Sequence, residues 1–187
     1  VAERGRLMQD AAVARAGGMV AVIGAEDDVV AQLASDAAQG GVLSCANFNA
    51  PGQVVIAGDS EACDRAEALA AERGMRCSRL SVAGAFHSEH MAPAAEGLAK
   101  VLESVDLRAP SVPVWSNVTA QPHSSDSSTI RANLVAQLTS PVRWAEACQN
   151  FPAAGTLKCH ESAPGTVLRG LMRRIDRERK VTSHDEP

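Results

Sequence analysis

The histidine at position 87 stands where a run of small residues leads into a helical pattern. The stretch "SVAGAFHSEHM" covers residues 81–91, and the alanines and glycine before His87 would let another group approach closely. An imidazole with an ordinary pKa of about 6.5 can take up a proton and return it near neutral pH. The pattern therefore indicates either a proton-transfer group or a structural histidine. Glu89 and His90 follow without the H-E-x-x-H order, so no metal site is predicted.

A histidine base needs a nucleophile, and the sequence offers no clear one. The G-x-S-x-G elbow of serine acyl-transfer enzymes does not occur. Cysteines stand at positions 45, 63, 77, 148 and 159, all in apolar predicted helices or strands where a thiol behaves as a small hydrophobic group. We therefore expect the nucleophile to lie outside this chain. Val1 enters a helical pattern with no capping residue ahead of it, so we expect the chain to begin partway through a protein.

Two arginines lie on the opening helical segment, beside Met8 and Gln9. A guanidinium such as that of Arg4 or Arg6 can hold a carboxylate through two parallel hydrogen bonds, each worth about 1.5–3 kcal/mol. A solvated helix face explains the same pattern, and the spacing does not distinguish the two. The run "RRIDRERK" at 173–180 raises a similar choice between charges that complement a helix end and a surface for an acidic protein.

Composition narrows the class of protein. The 187 residues carry a formal net charge of -4, and the few aromatic residues are not interleaved with basic ones, so no nucleic-acid partner is expected. No apolar run approaches the ~18 residues of a membrane helix, and no secretory signal is visible, which predicts a soluble protein without a membrane partner. The cysteine count is odd and lacks C-x-x-C spacing, which disfavours disulfides and zinc. We predict a reducing, cytoplasmic compartment.

The first half of the sequence predicts a small sheet with two helices. Short β-branched runs predict strands at 19–24, 42–49, 53–58 and 76–82, and Ala-rich periodic stretches predict helices at 25–39 and 61–74. The turn Ala50-Pro51-Gly52 joins the middle strands, and Asp59 with Ser60 caps the second helix. This β-α-β-β-α-β order is typical of the split βαβ, or ferredoxin-like, unit.

The second half alternates strand and helix in a different way. Helices are predicted at 91–105, 129–138, 141–151 and 166–180, strands at 112–117 and 156–162, and a polar loop at 121–128. The alternation favours pieces of a parallel α/β sheet, but two strands are too few to form one. We expect the remaining strands to come from residues before Val1. Only the tail 180–187 is predicted to be disordered.

Several stretches, taken in order, resemble one family. They are "RGRLMQ", "ANFNAPGQVVIAG", "VAGAFHSEHMAPAAEGL", "SNVTA", "LVAQLTSPVRW" and "PGTVLRGLMRRI". Together they resemble the C-terminal two-thirds of the malonyl-CoA:acyl carrier protein transacylase family, over nearly all of 4–175. The resemblance implies an α/β fold: part of an α/β-hydrolase-like large subdomain with an inserted ferredoxin-like small subdomain. It places a large-subdomain helix at 1–17, the small subdomain at 18–87, more of the large subdomain at 88–176, and a polar tail at 177–187.

The resemblance also implies the reaction. In this family a serine in a G-H-S-x-G elbow takes a malonyl group from malonyl-CoA and passes it to the phosphopantetheine thiol of acyl carrier protein, in fatty-acid biosynthesis and with no cofactor of the enzyme. His87 matches the general base and acid, and it would activate a serine upstream of Val1. Gln137 matches the residue whose main-chain carbonyl orients the imidazole.

Further residues match substrate-binding positions of the family. Arg4 would bind the free carboxylate of malonate, with Met8 in the same R-G-x-x-M-Q motif, and Phe86 would crowd an α-methyl group. The resemblance also implies a pantetheine-facing loop that contains Asn47, Asn49 and Gln53.

The chain departs from the family at two points. The G-Q-G-S-Q segment and the serine elbow are absent from the sequence, so we expect the chain alone to be inactive. Ala163 replaces the first glycine of a G-P-G turn, which implies strain if that position needs a positive φ.

Two other interpretations stay open. The chain is alternatively the acyltransferase domain of a polyketide or multifunctional fatty-acid synthase, which has the same chemistry. A different class is a non-catalytic ferredoxin-like binding module. The joint presence of Arg4, His87 and Gln137 favours an enzyme over such a module.

Overall fold

The computed structural model describes residues 1–152, 158–162 and 164–184, and the fold is α/β. The helices are α1 (Ala2–Ala14), α2 (Asp27–Ala38), α3 (Ser60–Glu72), α4 (Ala92–Glu103), α5 (Ser127–Ala136), α6 (Trp144–Gln149) and α7 (Val167–Ile175). A short 3₁₀ helix at Glu89–Met91 precedes α4. The strands are β1 (Gly17–Ile23), β2 (Leu43–Ala50), β3 (Gln53–Asp59), β4 (Arg76–Arg79), β5 (Cys159–Glu161) and β6 (Val181–Ser183).

Strands β1 to β4 form one antiparallel sheet in the order β4-β1-β3-β2. The β-α-β-β-α-β order predicted for the first half is confirmed between Gly17 and Arg79. Val20 pairs with Ile56 and Val22 with Val54, so β-branched residues face each other across the central pair. The predicted strand at 76–82 ends earlier, at Arg79, after which the chain turns into small residues.

The two faces of this sheet are buried by different parts of the chain. One face packs under α2 and α3, around Val22, Leu33, Ile56 and other buried residues of these elements. On the opposite face Met19, Val55 and neighbouring alanines contact Ala85 and Phe86. Because Ala85 and Phe86 immediately precede His87, the sheet directly supports the histidine-bearing segment.

Helices α1 and α4 form a second layer beside that segment. Their contact buries Ala12, Ala94, Leu98 and Met91, together with Leu138. Gly97 lies in the middle of α4, and a Cβ atom at that position would come within 2.6 Å of Leu7 Cδ2. The glycine therefore lets α1 approach closely and fixes the position of the residues that α1 carries.

The exposed edge of the sheet is joined to the segment that follows α5. The amide of Phe48 donates to the carbonyl of Val142, and the amide of Val142 donates to the carbonyl of Ala46, each over 2.8 Å. Register irregularities flank these residues on β2. The irregular edge thus pairs with a short extended segment instead of a full strand.

The strand predicted at 112–117 does not form. Trp115 makes only an isolated bridge to Pro122, and His123 donates its amide to the carbonyl of Val114 over 2.8 Å. Within the described residues no other strand lies beside this segment, so its remaining backbone groups have no ladder to join.

The C-terminal predictions need two corrections. The closing helix ends at Ile175 and not at 180, because the Asp176 side chain accepts from the amide of Glu178 at 3.0 Å and turns the chain away. The tail predicted to be disordered contains β6, which pairs in parallel with β5. Ala163 lies outside the described residues.

Asp59 occupies the N-cap position of α3, as predicted, but its side chain makes no capping hydrogen bond. Its Oδ2 instead accepts from the amide of Val42 at 2.7 Å. Among the described residues, no helix combines the length and apolar character needed to cross a membrane.

Candidate active site

His87 is half-buried and oriented by a main-chain carbonyl. Its Nδ1 lies 2.9 Å from the carbonyl oxygen of Gln137, at the end of α5. A carbonyl can only accept, so Nδ1 carries the proton and donates. The other ring nitrogen, Nε2, is then left with a lone pair. This is the tautomer that a general base requires.

The backbone of His87 is in the left-handed region, with φ of 60°. That conformation costs a residue with a Cβ about 1–2 kcal/mol, and it persists only where the surroundings impose it. Here Ser88 Oγ donates to the carbonyl of Ala85 over 2.6 Å and accepts from the amide of His90. These two hydrogen bonds link the residues before and after His87 and stabilise the turn that contains it.

The surroundings lower the pKa of His87. Burial is the largest cause, because it disfavours the charged imidazolium, and the positive charge of Arg4 acts in the same direction. The hydrogen bond to the Gln137 carbonyl and an interaction with the Ser140 carbonyl oppose the shift but do not cancel it. The net direction favours a neutral imidazole at neutral pH, ready to accept a proton.

The structure separates the two arginines that the sequence left equivalent. Arg6 is exposed and makes ion pairs on its own helix, with Glu3 at 2.9 Å and Asp10 at 2.8 Å. Arg4 is less exposed, makes no ion pair within the described residues, and acts electrostatically on His87. The solvated-face interpretation therefore applies to Arg6, whereas the charge of Arg4 acts on His87.

Met8 and Phe86 complete the group around His87. Both are partly buried and pack against the cluster formed by α1 and α4, which also contains Met91 and Leu138. The structure thus brings together five of the predicted site residues: Arg4, Met8, Phe86, His87 and Gln137.

The predicted residues of the β2–β3 hairpin do not join this group directly. Asn47 lies on the edge strand opposite Val142, and within the described residues no hydrogen bond connects Asn47, Asn49 or Gln53 to His87. The side-chain oxygen of Gln53 accepts from Arg174 Nη1 at 3.0 Å.

Arg174 and the carbonyl of Ser140 have roles that the sequence did not indicate. Arg174 also donates to the carbonyl of Pro51 at 2.9 Å, so α7 holds the hairpin turn. The only available signal was the basic run in α7, which did not predict a contact more than 100 positions away. Main-chain carbonyls such as that of Ser140 leave no signature in residue types.

Three of the cysteines are poor candidates for the missing nucleophile. Burial raises the pKa of Cys45 to about 11 and that of Cys148 to about 12, and it also raises the pKa of Cys63. A thiol with so high a pKa is almost entirely protonated at neutral pH and is a poor nucleophile. The prediction that these cysteines behave as small hydrophobic groups is consistent with their surroundings.

Comparison with known proteins defines the class. The model of the acyl transferase domain matches residues 1–180, so the chain belongs to the acyl transferase domain family. It is 42% identical over 173 residues to the malonyl CoA-acyl carrier protein transacylase of Haemophilus influenzae, a match that covers 92% of this chain and 55% of that protein.

Solved structures agree with this assignment. The malonyl-CoA:acyl carrier protein transacylase of Xanthomonas oryzae superposes with a TM-score of 0.94 at 43% identity, over 100% of this chain and 60% of that one. A malonyl-transacylase in complex with a type II polyketide synthase acyl carrier protein superposes with a TM-score of 0.91 at 38% identity, over 98% of this chain and 60% of that one. The chain therefore spans little more than half the length of these relatives.

Proposed function

We propose that this chain is part of an enzyme that transfers a malonyl group from malonyl-CoA to the phosphopantetheine thiol of an acyl carrier protein, in fatty-acid biosynthesis. The observation that carries the proposal is the hydrogen bond from His87 Nδ1 to the Gln137 carbonyl, which leaves Nε2 as a base. The family assignment and the names of the relatives support the same reaction.

The proposed chemistry proceeds in two transfers. The hydroxyl of a serine, supplied from outside this chain, attacks the malonyl thioester carbon while His87 Nε2 takes the hydroxyl proton. The C–S bond breaks and the coenzyme A sulfur leaves with that proton. The phosphopantetheine thiol then gives its proton to His87 and attacks the seryl ester, and His87 returns the proton to the serine. No cofactor is needed for either transfer.

Arg4 is the proposed ligand of the free malonate carboxylate. It lies near the histidine and has no carboxylate partner of its own among the described residues, so its charge is available to a substrate. Phe86 and Met8 form the proposed apolar wall beside the acyl group, since both pack at the edge of the cluster under His87. Phe86 would disfavour an α-methyl branch.

The proposed subdomains follow from the sheet. The strand order β4-β1-β3-β2 with two helices on one face supports a ferredoxin-like small subdomain at 18–87. We place 1–17 and 88–176 in an α/β-hydrolase-like large subdomain, with 177–187 as its polar end. Asn47, Asn49 and Gln53 would face the pantetheine arm from the hairpin of the small subdomain.

A basic surface formed by α7 and the residues that follow it supports the carrier protein as partner. Arg169, Arg173 and Arg177 line a cleft of about 700 Å³ beside Lys180. Arg174 is already bound to the hairpin turn, so it is less free to meet a partner. A cleft with this charge suits an acidic protein surface.

The experiment uses the full-length protein encoded by the reading frame that contains this chain. Purified protein is mixed with malonyl-CoA and holo acyl carrier protein, and malonyl transfer is followed by mass spectrometry. We expect malonyl carrier protein to form and a transient malonyl ester to map to a serine before Val1. Absence of both would refute the proposed function.

A further inference from the structure

His90 lies three residues after His87 and is completely enclosed. Its side chain has 0% exposure, and its Nε2 is 2.8 Å from Asp59 Oδ1 at the end of β3. A carboxylate only accepts, so His90 donates through Nε2. This contact joins the 3₁₀ helix after His87 to the small sheet, 31 positions earlier in the chain.

Asp59 is held in place from two further directions. Arg15, just after α1, donates to the same Oδ1 at 2.8 Å, and the amide of Val42 donates to Oδ2 at 2.7 Å. The amide of Asp59 in turn donates to the carbonyl of Val42 at 2.8 Å. One carboxylate therefore connects α1, the sheet and the turn that carries His87.

The space for the imidazole is created by a glycine. An added Cβ at Gly17 would lie 2.8 Å from His90 Nδ1 and 2.9 Å from the Cβ of Ala85. Any larger residue at the start of β1 would therefore push His90 or Ala85 out of position. The small size of Gly17 therefore leaves room for the His90 imidazole to reach Asp59.

The strained turn at His87 is thus fixed on two sides. The Gln137 carbonyl holds the imidazole of His87, and Asp59 holds the next turn of backbone through His90. Only Ser88 and Glu89 separate His87 from His90 in the chain. The Ser88 hydroxyl donates to the carbonyl of Ala85 and accepts from the amide of His90. A shift of His90 would be transmitted directly to the φ of 60° at His87.

We propose that Asp59 and His90 are positioning residues that hold the His87 turn against the small sheet in its proton-accepting geometry. The inference rests on the proposed function, because it assigns these residues to the orientation of the same base. An error of about 1 Å in the position of a base lowers catalysis by up to about a hundredfold, so an effect on turnover is expected.

The test compares two substitutions of His90 in the full-length protein. His90→Leu fills the space without a donor, whereas His90→Gln keeps a side-chain N–H that can reach Asp59. We expect His90→Leu to lower kcat for malonyl transfer about tenfold or more with little change in KM, and His90→Gln to recover most of it. Adding Asp59→Ala to His90→Leu should lower kcat further, because Asp59 also holds Arg15 and the Val42 amide, so the two His90 variants carry the test.

The matched control is Asp36→Asn. Asp36 forms an ion pair with Arg73 that joins α2 to the end of α3 and does not contact the His87 turn. This variant should keep the wild-type kcat. A folded His90→Leu with wild-type kcat, a failure of His90→Gln to recover activity, or an equal loss in Asp36→Asn would each overturn the inference.

Hydrogen exchange separates failure of this inference from failure of the proposed function. If the wild-type protein transfers no malonyl group, the function is refuted, but exchange at the amides of 87–91 still tests the contact. These amides should exchange at least tenfold faster in His90→Leu than in the wild type or Asp36→Asn. Unchanged exchange would overturn the positioning role by itself.

Discussion

The sheet region and the region around it are stabilised in different ways. Both faces of β1 and β3 are buried, one by α2 and α3 and the other by Ala85 and Phe86, and Val20, Val54 and Ile56 have essentially no exposure. The flanking segments carry nearly all of the exposed large apolar side chains in the described residues. Val112, Val114 and Val167 are examples, with exposures of 64%, 46% and 68%, and Val29 is the only one within 17–79.

The difference has a topological cause. An antiparallel sheet made from consecutive elements finds all its partners within a short stretch of chain. The extended segment at 112–117 finds only Pro122 as a bridge partner within the described residues. Since the chain spans little more than half of its relatives, we infer that the rest of the family fold covers the exposed valines. The proposed catalytic histidine lies where the two regions meet.

The largest expected difference is in hydrogen exchange of the 187-residue chain. Amides of β1 and β3 should exchange only through opening of the whole sheet, whereas those of 112–118 should exchange through local fluctuation. We expect protection to differ by about a thousandfold or more, measured by mass spectrometry after pulse labelling. Equal protection in the two segments would show that they open together, which contradicts the predicted difference in local stability.

Substitutions that shorten an apolar side chain should follow the same division. Leu33→Ala in the sheet core should lower the free energy of unfolding by about 2–5 kcal/mol, because Leu33 is fully buried. Val112→Ala should change it by less than about 0.5 kcal/mol in this chain. Urea unfolding measures both. A larger cost of Val112→Ala in the full-length protein would confirm that the rest of the fold covers this side chain.

The residues around His87 should determine the selectivity between malonyl-CoA and acetyl-CoA as acyl donors. In the full-length protein, Arg4→Gln should lower kcat/KM for malonyl-CoA about 10- to 150-fold, the value of one charged hydrogen bond, with little effect on acetyl-CoA. Arg6→Gln is the matched control, because Arg6 is paired on the solvated face of the same helix. An equal loss of kcat/KM with both donors, or an equal effect of the two substitutions, would reject the proposal that Arg4 binds the malonate carboxylate.

The pH profile tests the surroundings of His87. A base must be neutral to accept a proton, and burial puts the pKa of His87 below its ordinary value of 6.5. We therefore expect the ascending limb of kcat/KM to be centred below pH 6.5, with a fall of about tenfold per unit below the His87 pKa. An ascending limb centred above pH 7 would contradict this prediction.

The same shift has a consequence for stability. Between the folded-state pKa of His87 and 6.5, the unfolded state binds more protons than the folded state, so stability rises with pH in that interval. Below the folded-state pKa this contribution is lost. A His87→Ala variant should lack this part of the pH dependence of thermal unfolding.

The smallest effect is expected at the side chain of Gln137. The main-chain carbonyl of Gln137 accepts from His87, and the side-chain Nε2 is 3.4 Å from Nδ1, beyond a normal hydrogen bond. Gln137→Leu in the full-length protein should therefore lower kcat by less than about fivefold. A loss as large as that of a base deletion would assign the catalytic role to the amide side chain instead.

The sequence predicted local structure well and long-range contacts poorly. The strands of the small sheet could be located because β-branched runs, glycines and acidic helix starts all indicated the same elements. The strand predicted at 112–117 does not form, because an extended apolar run becomes a strand only where a neighbouring strand can pair with it. The strand at 181–183 was missed because "VTS" within a polar tail has too few residues for any period.

The candidate site shows the same limit. His87 was identified from residue type and position, but its value as a base depends on a carbonyl 50 positions away. The family resemblance, and not any spacing, indicated Gln137. Neither the residue pattern nor the family resemblance predicted the contact between Asp59 and His90. Asp59 is typical of a helix cap and His90 of a helix start, so neither residue indicated a long-range partner.

The most direct test of the central claim is loss of the base. Full-length protein carrying His87→Ala is compared with His160→Ala, which removes an exposed histidine on β5, in transfer of malonyl from malonyl-CoA to holo acyl carrier protein. We predict that His87→Ala lowers kcat/KM by about 10²- to 10⁴-fold while His160→Ala stays near the wild type. Near-normal transfer by His87→Ala would contradict this claim, because the reaction would then need no proton acceptor at His87 Nε2.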